Sequence, residues 1–535
     1  MIEFLFIIIC FFIGLYFKSK RSLHMLQQNL YNENNRYLKW VYKNFKFLDI
    51  DIVILLMAIV GCFVLYDMGF ISVILQVCMG ILAVILGFSW RGRINTDQNK
   101  KPLVVTARVK RLIITTFILY LIDIVFMFIN IDNSQAYWGG LLVLSVMVYL
   151  NNFVVWIAKI INTPIEKCVY FYYLSKAKSK LKSMTNLKVI GITGSYGKTS
   201  SKNILSDILN IKYDALPTPR NLNTPNGLMI TINNHLDKFN DVFIAEMGAY
   251  VKGEIKELCD LVHPKYGILT RIGTAHLESF GSEQNIIDGM FELIESLPSV
   301  GYAVLNGDDE KQVNYKLKNK VKTIWIGIDN KDVDVLACDI KCSNKGTSFN
   351  VLFKGDDTKY PFETKLLGNH NVYNILASIA CGKEFGVSIE ELQQGVRGVR
   401  GIEHRLELKK IRNYYMIDDA YNSNPVGAAS ACKVLGMMPG VKVVVTPGMI
   451  ELGEKEKEYN KTFGTQIAEV ADYVVLIGAN RTKPIKEGLL ESGYDIDKIQ
   501  VLNDVRDAYN FISGLTGKED VYALFENDLP DTYNE

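Results

Sequence analysis

Very little net charge separates this chain from neutrality: 59 Lys and Arg stand against 57 Asp and Glu over 535 residues, a formal balance of +2. A field that weak offers nothing to a polyanion at long range, so no nucleic-acid partner is expected. A zinc ribbon is excluded as well. The 9 cysteines are scattered, and the close pair Cys338 and Cys342 has no second pair to complete a tetrahedral site. All of them read as reduced and structural, which suits a reducing compartment on the soluble side. The first apolar run is expected to be an uncleaved anchor rather than a cleavable leader, because the chain opens Met1-Ile2-Glu3 without a basic segment and carries Lys18, Lys20 and Arg21 after that run.

Apolar sequence, in contrast, is abundant. Runs at 2–17, 52–66, 70–88, 112–129 and 138–161 precede any catalytic motif, and the longer ones approach the ~20 residues that cross a bilayer. With the basic residues held in the gaps, residues 1–165 read as a transmembrane domain of about five helices. The gaps 18–46 and 91–111 are rich in Lys and Arg, whereas 67–69 and 130–137 contain neither. The basic gaps are therefore expected in the cytoplasm and the N-terminus outside. This predicts a multi-pass protein of the cell membrane, in contact with membrane lipid, with its large soluble part on the cytoplasmic face where ATP is. Asp123, near the centre of the fourth run, and Asn151 with Asn152 in the fifth are costly in lipid unless they face protein or water. Interhelical hydrogen bonding and contact with a lipid-linked substrate are both open readings of them.

From about Val169 short apolar strands alternate with amphipathic helices, the pattern of an open α/β sheet. Leu187-Lys-Val-Ile-Gly-Ile reads as a strand; Thr193-Gly-Ser-Tyr-Gly-Lys-Thr-Ser follows, and then Ile204, Leu205, Ile208 and Leu209 fall at helical spacing. A glycine-rich turn between a strand and a helix N-terminus lets backbone N–H groups and the helix dipole meet a phosphate. Thr193, Gly194, Ser195, Gly197, Lys198, Thr199 and Ser200 are the nucleotide-binding candidates, with Lys198 reaching the β and γ phosphates and the Thr199 hydroxyl ligating Mg²⁺. The usual spacing would place the first glycine at Ile192; glycine stands instead at 191, so the loop is expected to run from Gly191 to Ser200. Two further strand-like segments end near ligand candidates: Asp241-Val-Phe-Ile-Ala-Glu246, and Tyr266-Gly-Ile-Leu-Thr leading to His276 and Glu278. Mg²⁺ prefers carboxylate oxygen, which favours Glu246 over His276.

These residues resemble the Mur ligase family, ATP-dependent enzymes that add amino acids or dipeptides to peptidoglycan precursors. The likeness covers roughly Val189 to the C-terminus. It rests on the phosphate loop, on Asn223-Thr-Pro-Asn-Gly, on Glu246-Met-Gly-Ala, and on Gly273-Thr-Ala-His-Leu-Glu-Ser-Phe-Gly-Ser. Gly368-Asn-His-Asn-Val-Tyr-Asn, Arg405 and Asp418-Asp-Ala-Tyr-Asn-Ser-Asn-Pro complete it. The spelling looks closest to the branch that adds D-alanyl-D-alanine to a muramoyl tripeptide. The resemblance implies a P-loop α/β central domain over 166–400 and a Rossmann-like α/β C-terminal domain over 401–535. It implies ATP and Mg²⁺, with Lys198, Glu246, His276 and Arg405 as catalytic residues and Thr199, Glu246 and His276 at the metal. Asn371, Asn374, Arg405 and Asp419 would reach ATP. Asn223, Thr224, Tyr421, Asn422 and Asn424 would serve the substrates, a carboxylate-bearing envelope precursor and an amino acid or dipeptide amine.

Two departures stand out. The family's metal-binding carbamylated lysine would fall at Met290, whose thioether is a poor Mg²⁺ ligand, so Asp288 or Glu292 is expected to substitute or the second metal to be weak. The usual N-terminal domain that grips uridine diphosphate is replaced by the apolar runs, which makes the acceptor membrane-borne or polymeric. A poly-γ-glutamate-type synthetase, a membrane ATPase that makes no bond, and a degenerate scaffold are the alternatives. The four-cysteine amidating relative is disfavoured because its cluster is absent.

Overall fold

The computed structural model describes residues 2–29, 31, 35–44, 51–65, 68–94, 102–274, 276–343, 345–401, 404–411, 413–420, 424–450, 452, 455–515, 517 and 519–527. They fall into a unit of residues 1–172 and a unit of residues 173–529.

The first unit is helical: Ile2–Gln28, Arg36–Asn44, Asp51–Val60 with the π-turn Gly61–Leu65, Phe70–Ile94, Ala107–Ile129, Ser134–Tyr149, and the start of Asn151–Ser183. Among the described residues, Phe70–Ser89 and Ala107–Ile129 are each long and apolar enough to cross a membrane. A third crossing results only if Ser134–Tyr149 and Asn151–Ser183 count as one broken span. The apolar runs of the sequence point to about five. The run 52–66 yields a helix of only 10 residues before the π-turn, short of a bilayer at 1.5 Å per residue. The run 138–161 is broken at Leu150 by a bend of 87°.

Polar contacts gather at the bend. Asn151 accepts from Ser19 Oγ at 3.1 Å and Tyr120 Oη at 3.0 Å and donates to Ser22 Oγ at 2.8 Å. Asn152 accepts from Ser22 Oγ at 2.7 Å through its side chain and from Tyr37 Oη at 3.1 Å through its carbonyl. Interhelical hydrogen bonding thus accounts for both asparagines. Beside them Lys18 and Asp51 form a buried ion pair. Asp123 is buried, and its Oδ2 has no hydrogen-bond partner among the described residues.

The second unit carries two sheets. The first comprises β1 Lys188–Thr193, β2 Ala215–Pro217, β3 Val242–Glu246, β4 Tyr266–Leu269, β5 Tyr302–Asn306, β6 Lys322–Gly327, β7 Val335–Ser343, β8 Gly346–Phe353 and β9 Asp356–Thr364. Their order is β2-β3-β1-β4-β5-β6-β7-β8-β9. Pairing is parallel as far as β7 and antiparallel from β7 to β9. Helices Lys198–Leu209 and Asn369–Glu384 bury Ile204, Leu205 and Ile208, and Val372, Ile375 and Ile379, in the same core as Ile190 and Ile244. A sheet covered by helices explains why β1 and β3 read as continuous apolar runs.

The second sheet comprises β10 Glu407–Ile411, β11 Tyr414–Asp419, β12 Val441–Thr446, β13 Tyr473–Ile477, β14 Ile499–Leu502 and β15 Val521–Glu526. Its order is β10-β11-β15-β12-β13-β14, with β10 antiparallel to β11 and the remaining pairs parallel.

Register sets up the chemistry. β1 pairs with β3 so that Ile192 lies opposite Glu246, and with β4 so that Thr193 lies opposite Leu269. The phosphate loop therefore leaves the sheet between the carboxyl ends of two neighbours, where an open parallel sheet presents its ligand crevice.

Candidate active site

Gly191 is not part of the loop. It lies within β1, and a Cβ there would come 2.5 Å from Leu293 Cδ1, so this glycine serves close packing of strand against helix. The turn itself runs from Gly194 to Gly197. Gly194 has φ +143°, and a Cβ on it would lie 2.0 Å from Thr270 Oγ1. Gly197 has φ +85°, and its Cβ would lie 2.9 Å from Asn374 Oδ1. Both positions exclude a side chain by conformation and by space.

Gly197 starts the helix Lys198–Leu209 with no side-chain cap. First-turn N–H groups left uncapped at a helix N-terminus are donors suited to an anion. Lys198 folds back over the loop, donating to the carbonyls of Gly194 at 2.5 Å and Ser195 at 3.3 Å. Burial lowers its pKa to about 8; Glu246 opposes that shift and the Arg405 charge adds to it. Ser195 Oγ donates to Gly273 O at 3.3 Å, and Ser200 is buried in the helix. Thr193 is fully buried, its hydroxyl donating to Met247 O at 3.0 Å.

Glu246 closes the other side. Thr199 Oγ1 donates to its Oε1 at 3.0 Å and Asn223 Nδ2 to the same oxygen at 3.1 Å. Oε2 has no hydrogen bond among the described residues and is offset only by Lys202 Nζ at 2.9 Å, an ion pair without hydrogen-bond alignment. A buried carboxylate beside a threonine hydroxyl, with one oxygen short of donors, is a donor set that fits a hard divalent cation. His276 packs against Tyr250 with ring centroids 4.5 Å apart and the ring planes tilted by 57°. Desolvation by the surrounding protein lowers its pKa and the Lys198 charge lowers it further, while Glu254 works the other way. A neutral imidazole keeps the ring nitrogen available for a metal.

Both carboxylates expected to substitute for the missing lysine have partners of their own. Asp288 pairs with Lys252 Nζ at 2.7 Å and accepts from Gln284 at 2.8 Å. Glu292 accepts the backbone N–H of Gly253 at 2.7 Å and of Lys256 at 3.0 Å, capping the helix Glu254–Val262. Met290 itself is buried, its Sδ 3.5 Å from Thr193 Oγ1. A side chain at 290 does reach the loop, but it brings no oxygen.

Asn374 accepts from Ser201 Oγ at 2.9 Å, which fixes it to the phosphate-loop helix. Asn371 bonds the Leu367 carbonyl at 2.9 Å in its own helix turn. Thr224 and Asn424 cap the helices Pro225–Asn234 and Pro425–Gly436, accepting from Gly227 N at 3.3 Å and Gly427 N at 3.0 Å. Tyr421 and Asn422 lie outside the described residues. Arg405 sits close enough to the central domain for its charge to act on Lys198 and His370. Asp419 accepts from Leu406 N at 3.1 Å at the end of β11, where it lies opposite Glu526 of β15 in register. Its pKa is raised to about 6, chiefly by burial, with the Glu526 hydrogen bond and Arg405 opposing.

The motif reading missed Lys202 and Thr270. Thr270 Oγ1 donates to Tyr196 O at 2.6 Å and Thr193 O at 3.0 Å, pinning both ends of the loop. Lys202 falls one turn after Lys198 on the same helix face, a spacing that was available as a signal.

An uncapped glycine-turn helix facing a buried carboxylate on a parallel sheet, followed by a second α/β sheet, defines a P-loop enzyme that handles a nucleoside triphosphate. The family model for the Mur ligase middle domain matches residues 192–382, and that for the Mur ligase glutamate ligase domain matches 404–525. The UDP-N-acetylmuramoyl-tripeptide–D-alanyl-D-alanine ligase of Bacillus subtilis is 31% identical over 349 residues, covering 64% of this chain and 74% of the relative. Its Escherichia coli counterpart is 30% identical over 297 residues, covering 54% of this chain and 64% of that protein. MurF from Acinetobacter baumannii superposes with a TM-score of 0.60 at 26% identity, covering 67% of this chain and 77% of that one. The chain belongs to the Mur ligase family, the ATP-dependent ligases that form amide bonds.

Proposed function

We propose that this protein is a membrane-anchored ligase that joins a dipeptide amine, in the manner of D-alanyl-D-alanine, to the peptide carboxylate of a muramoyl envelope precursor. The observation that carries this reading is the convergence of Lys198, Thr199 and Glu246 at the carboxyl ends of β1 and β3, in a chain 31% identical to a ligase of that specificity. The acceptor carboxylate attacks the γ phosphorus of ATP, and ADP leaves as an acyl phosphate forms. The amine then attacks the acyl carbon, and inorganic phosphate leaves as the amide forms.

Each residue has a defined task. Lys198 and the first-turn N–H groups of its helix hold the phosphates, and their charge offsets that developing on the transferred phosphoryl oxygens. Thr199, Glu246 and His276 would hold Mg²⁺, which when bound neutralises phosphate charge and orients the γ phosphate. Arg405 brings a further positive charge from the C-terminal domain, and closure of that domain excludes the water that would hydrolyse the acyl phosphate.

The helical unit supports membrane anchoring. Phe70, Phe63 and Ile129 are 79%, 72% and 74% exposed, and side chains this apolar on a solvated surface are expected against lipid. An acceptor carried in the membrane fits that arrangement.

Mass spectrometry of products from the purified full chain tests the proposal, with ATP, D-alanyl-D-alanine and either the UDP-linked muramoyl tripeptide or its lipid-linked form. A product heavier than the acceptor by the dipeptide less one water is expected. ADP release with no coupled product would overturn it and favour the ATPase alternative. Extraction of the chain from membranes by alkaline carbonate would remove the anchoring.

A further inference from the structure

Lys202 is a fully buried ammonium in the middle of the nucleotide helix, 1% exposed, paired with the equally buried Glu246 at 2.9 Å. Its Nζ also donates to the carbonyl of Arg220 at 2.6 Å. Arg220 belongs to the segment 218–224, which leads into the helix Pro225–Asn234 and carries Asn223 and Thr224. That segment has left-handed backbone at Arg220, φ +49°, an unfavourable conformation for a residue with a Cβ. Something must hold it there. Thr218 Oγ1 accepts from Glu246 N at 3.2 Å at one end, and Asn223 Nδ2 donates to Glu246 Oε1 at 3.1 Å at the other. Lys202 grips the middle.

We propose that Lys202 is a positioning residue that fastens the segment 218–224 to the Glu246 carboxylate, so that the nucleotide helix, the metal-ligand candidate and the acceptor-side segment move as one body. This rests on reading Asn223 and Thr224 as acceptor residues. The geometry follows from helix periodicity: Lys198 and Lys202 are one turn apart, so the face that meets phosphate at its first turn meets the acceptor segment at its second. Thr199 would hold Mg²⁺ when nucleotide is bound, which would leave Asn223 as the remaining donor to Glu246 Oε1. Lys202 and Asn223 then keep the carboxylate oriented, and the segment stays docked on it.

A simpler role is countercharge alone. A buried carboxylate needs a cation, and exchanging both partners for neutral isosteres removes that need. The two roles separate in a double variant, Lys202→Met with Glu246→Gln. Hydrogen exchange is measured on the full chain in detergent with magnesium and β,γ-imido-ATP. Positioning predicts that amides of 218–224 exchange at least ~10-fold faster than native in Lys202→Met and stay fast in the double variant, although its melting temperature returns close to native. Native-like protection of 218–224 in the double variant would reduce Lys202 to a countercharge and overturn the proposal. Should Lys202→Met fail to fold, the double variant decides alone. No acceptor is present and no product is read, so this test can fail while the ligase assay succeeds, and the reverse.

Discussion

Thr199 Oγ1 lies 3.0 Å from Glu246 Oε1, joining the first turn of the phosphate-loop helix to the end of the neighbouring strand. The contact follows from strand register, because β1 and β3 pair so that Glu246 sits opposite Ile192, just ahead of the loop. A hydroxyl and a carboxylate so placed would supply hard oxygen ligands to a divalent cation beside the phosphate loop.

Glu246→Gln keeps the shape and the bond to Thr199 but removes the charge. Ligation is expected to fall on the order of 10²-fold or more, with the magnesium requirement shifted to higher concentration. Initial rates across a magnesium titration check this. A variant with native rate and native magnesium dependence would remove Glu246 from the metal site.

Lys198→Ala removes the ammonium that folds over Gly194 and Ser195. ATP-dependent amide formation is expected to be lost, by roughly 10³-fold. The helical unit should be unaffected, and circular dichroism with membrane fractionation of the variant checks it. Retained ligation would sink the mechanism.

How much of this was legible beforehand depended on whether a feature is local. Strand, glycine turn and helix are contiguous, so Gly194, Gly197, Lys198 and Thr199 could be read from spacing alone. Gly191 was misassigned to the loop because spacing cannot tell a turn glycine from one in a strand that needs room for Leu293. Lys202 meets Arg220 and Glu246 only after the sheet forms, so its burial was invisible in the chain order. The helix caps made by Thr224 and Asn424 are local, yet they compete with a substrate role for the same side-chain oxygens. In the helical unit the apolar runs were plain, but Asn151, beside the 87° bend at Leu150, meets Ser19, Ser22 and Tyr120 from helices distant in the chain.

Gly194→Ala and Gly253→Ala separate backbone conformation from space. Both glycines have positive φ, +143° and +99°, but a Cβ at 194 would strike Thr270 Oγ1 at 2.0 Å while nothing lies within 4 Å of one at 253. Gly253→Ala is expected to cost about 1 kcal/mol of stability and leave nucleotide affinity unchanged. Gly194→Ala must displace Thr270 and with it the loop, so binding of a fluorescent ADP analogue should weaken at least ~10-fold. Equal affinities in the two variants would count against the loop geometry.

His370 offers a pH test at the junction of the two sheets' domains. Its Nδ1 lies 2.9 Å from Ser430 Oγ, joining the helix Asn369–Glu384 to the helix Pro425–Gly436. Burial lowers its pKa to about 4 from the ordinary 6.5, and the Arg405 charge pushes the same way. The unfolded chain therefore binds the proton first as pH falls, and stability must decline between the two values rather than above them. The contribution is fully present above about 6.5 and is lost as pH falls toward about 4. His370→Gln cannot take up that proton, so its melting temperature should fall less steeply than native over this window, with the two curves parallel above it. Thermal melts followed by intrinsic fluorescence at a series of pH values check the difference. Parallel curves throughout would show that the imidazole is not held neutral at this junction.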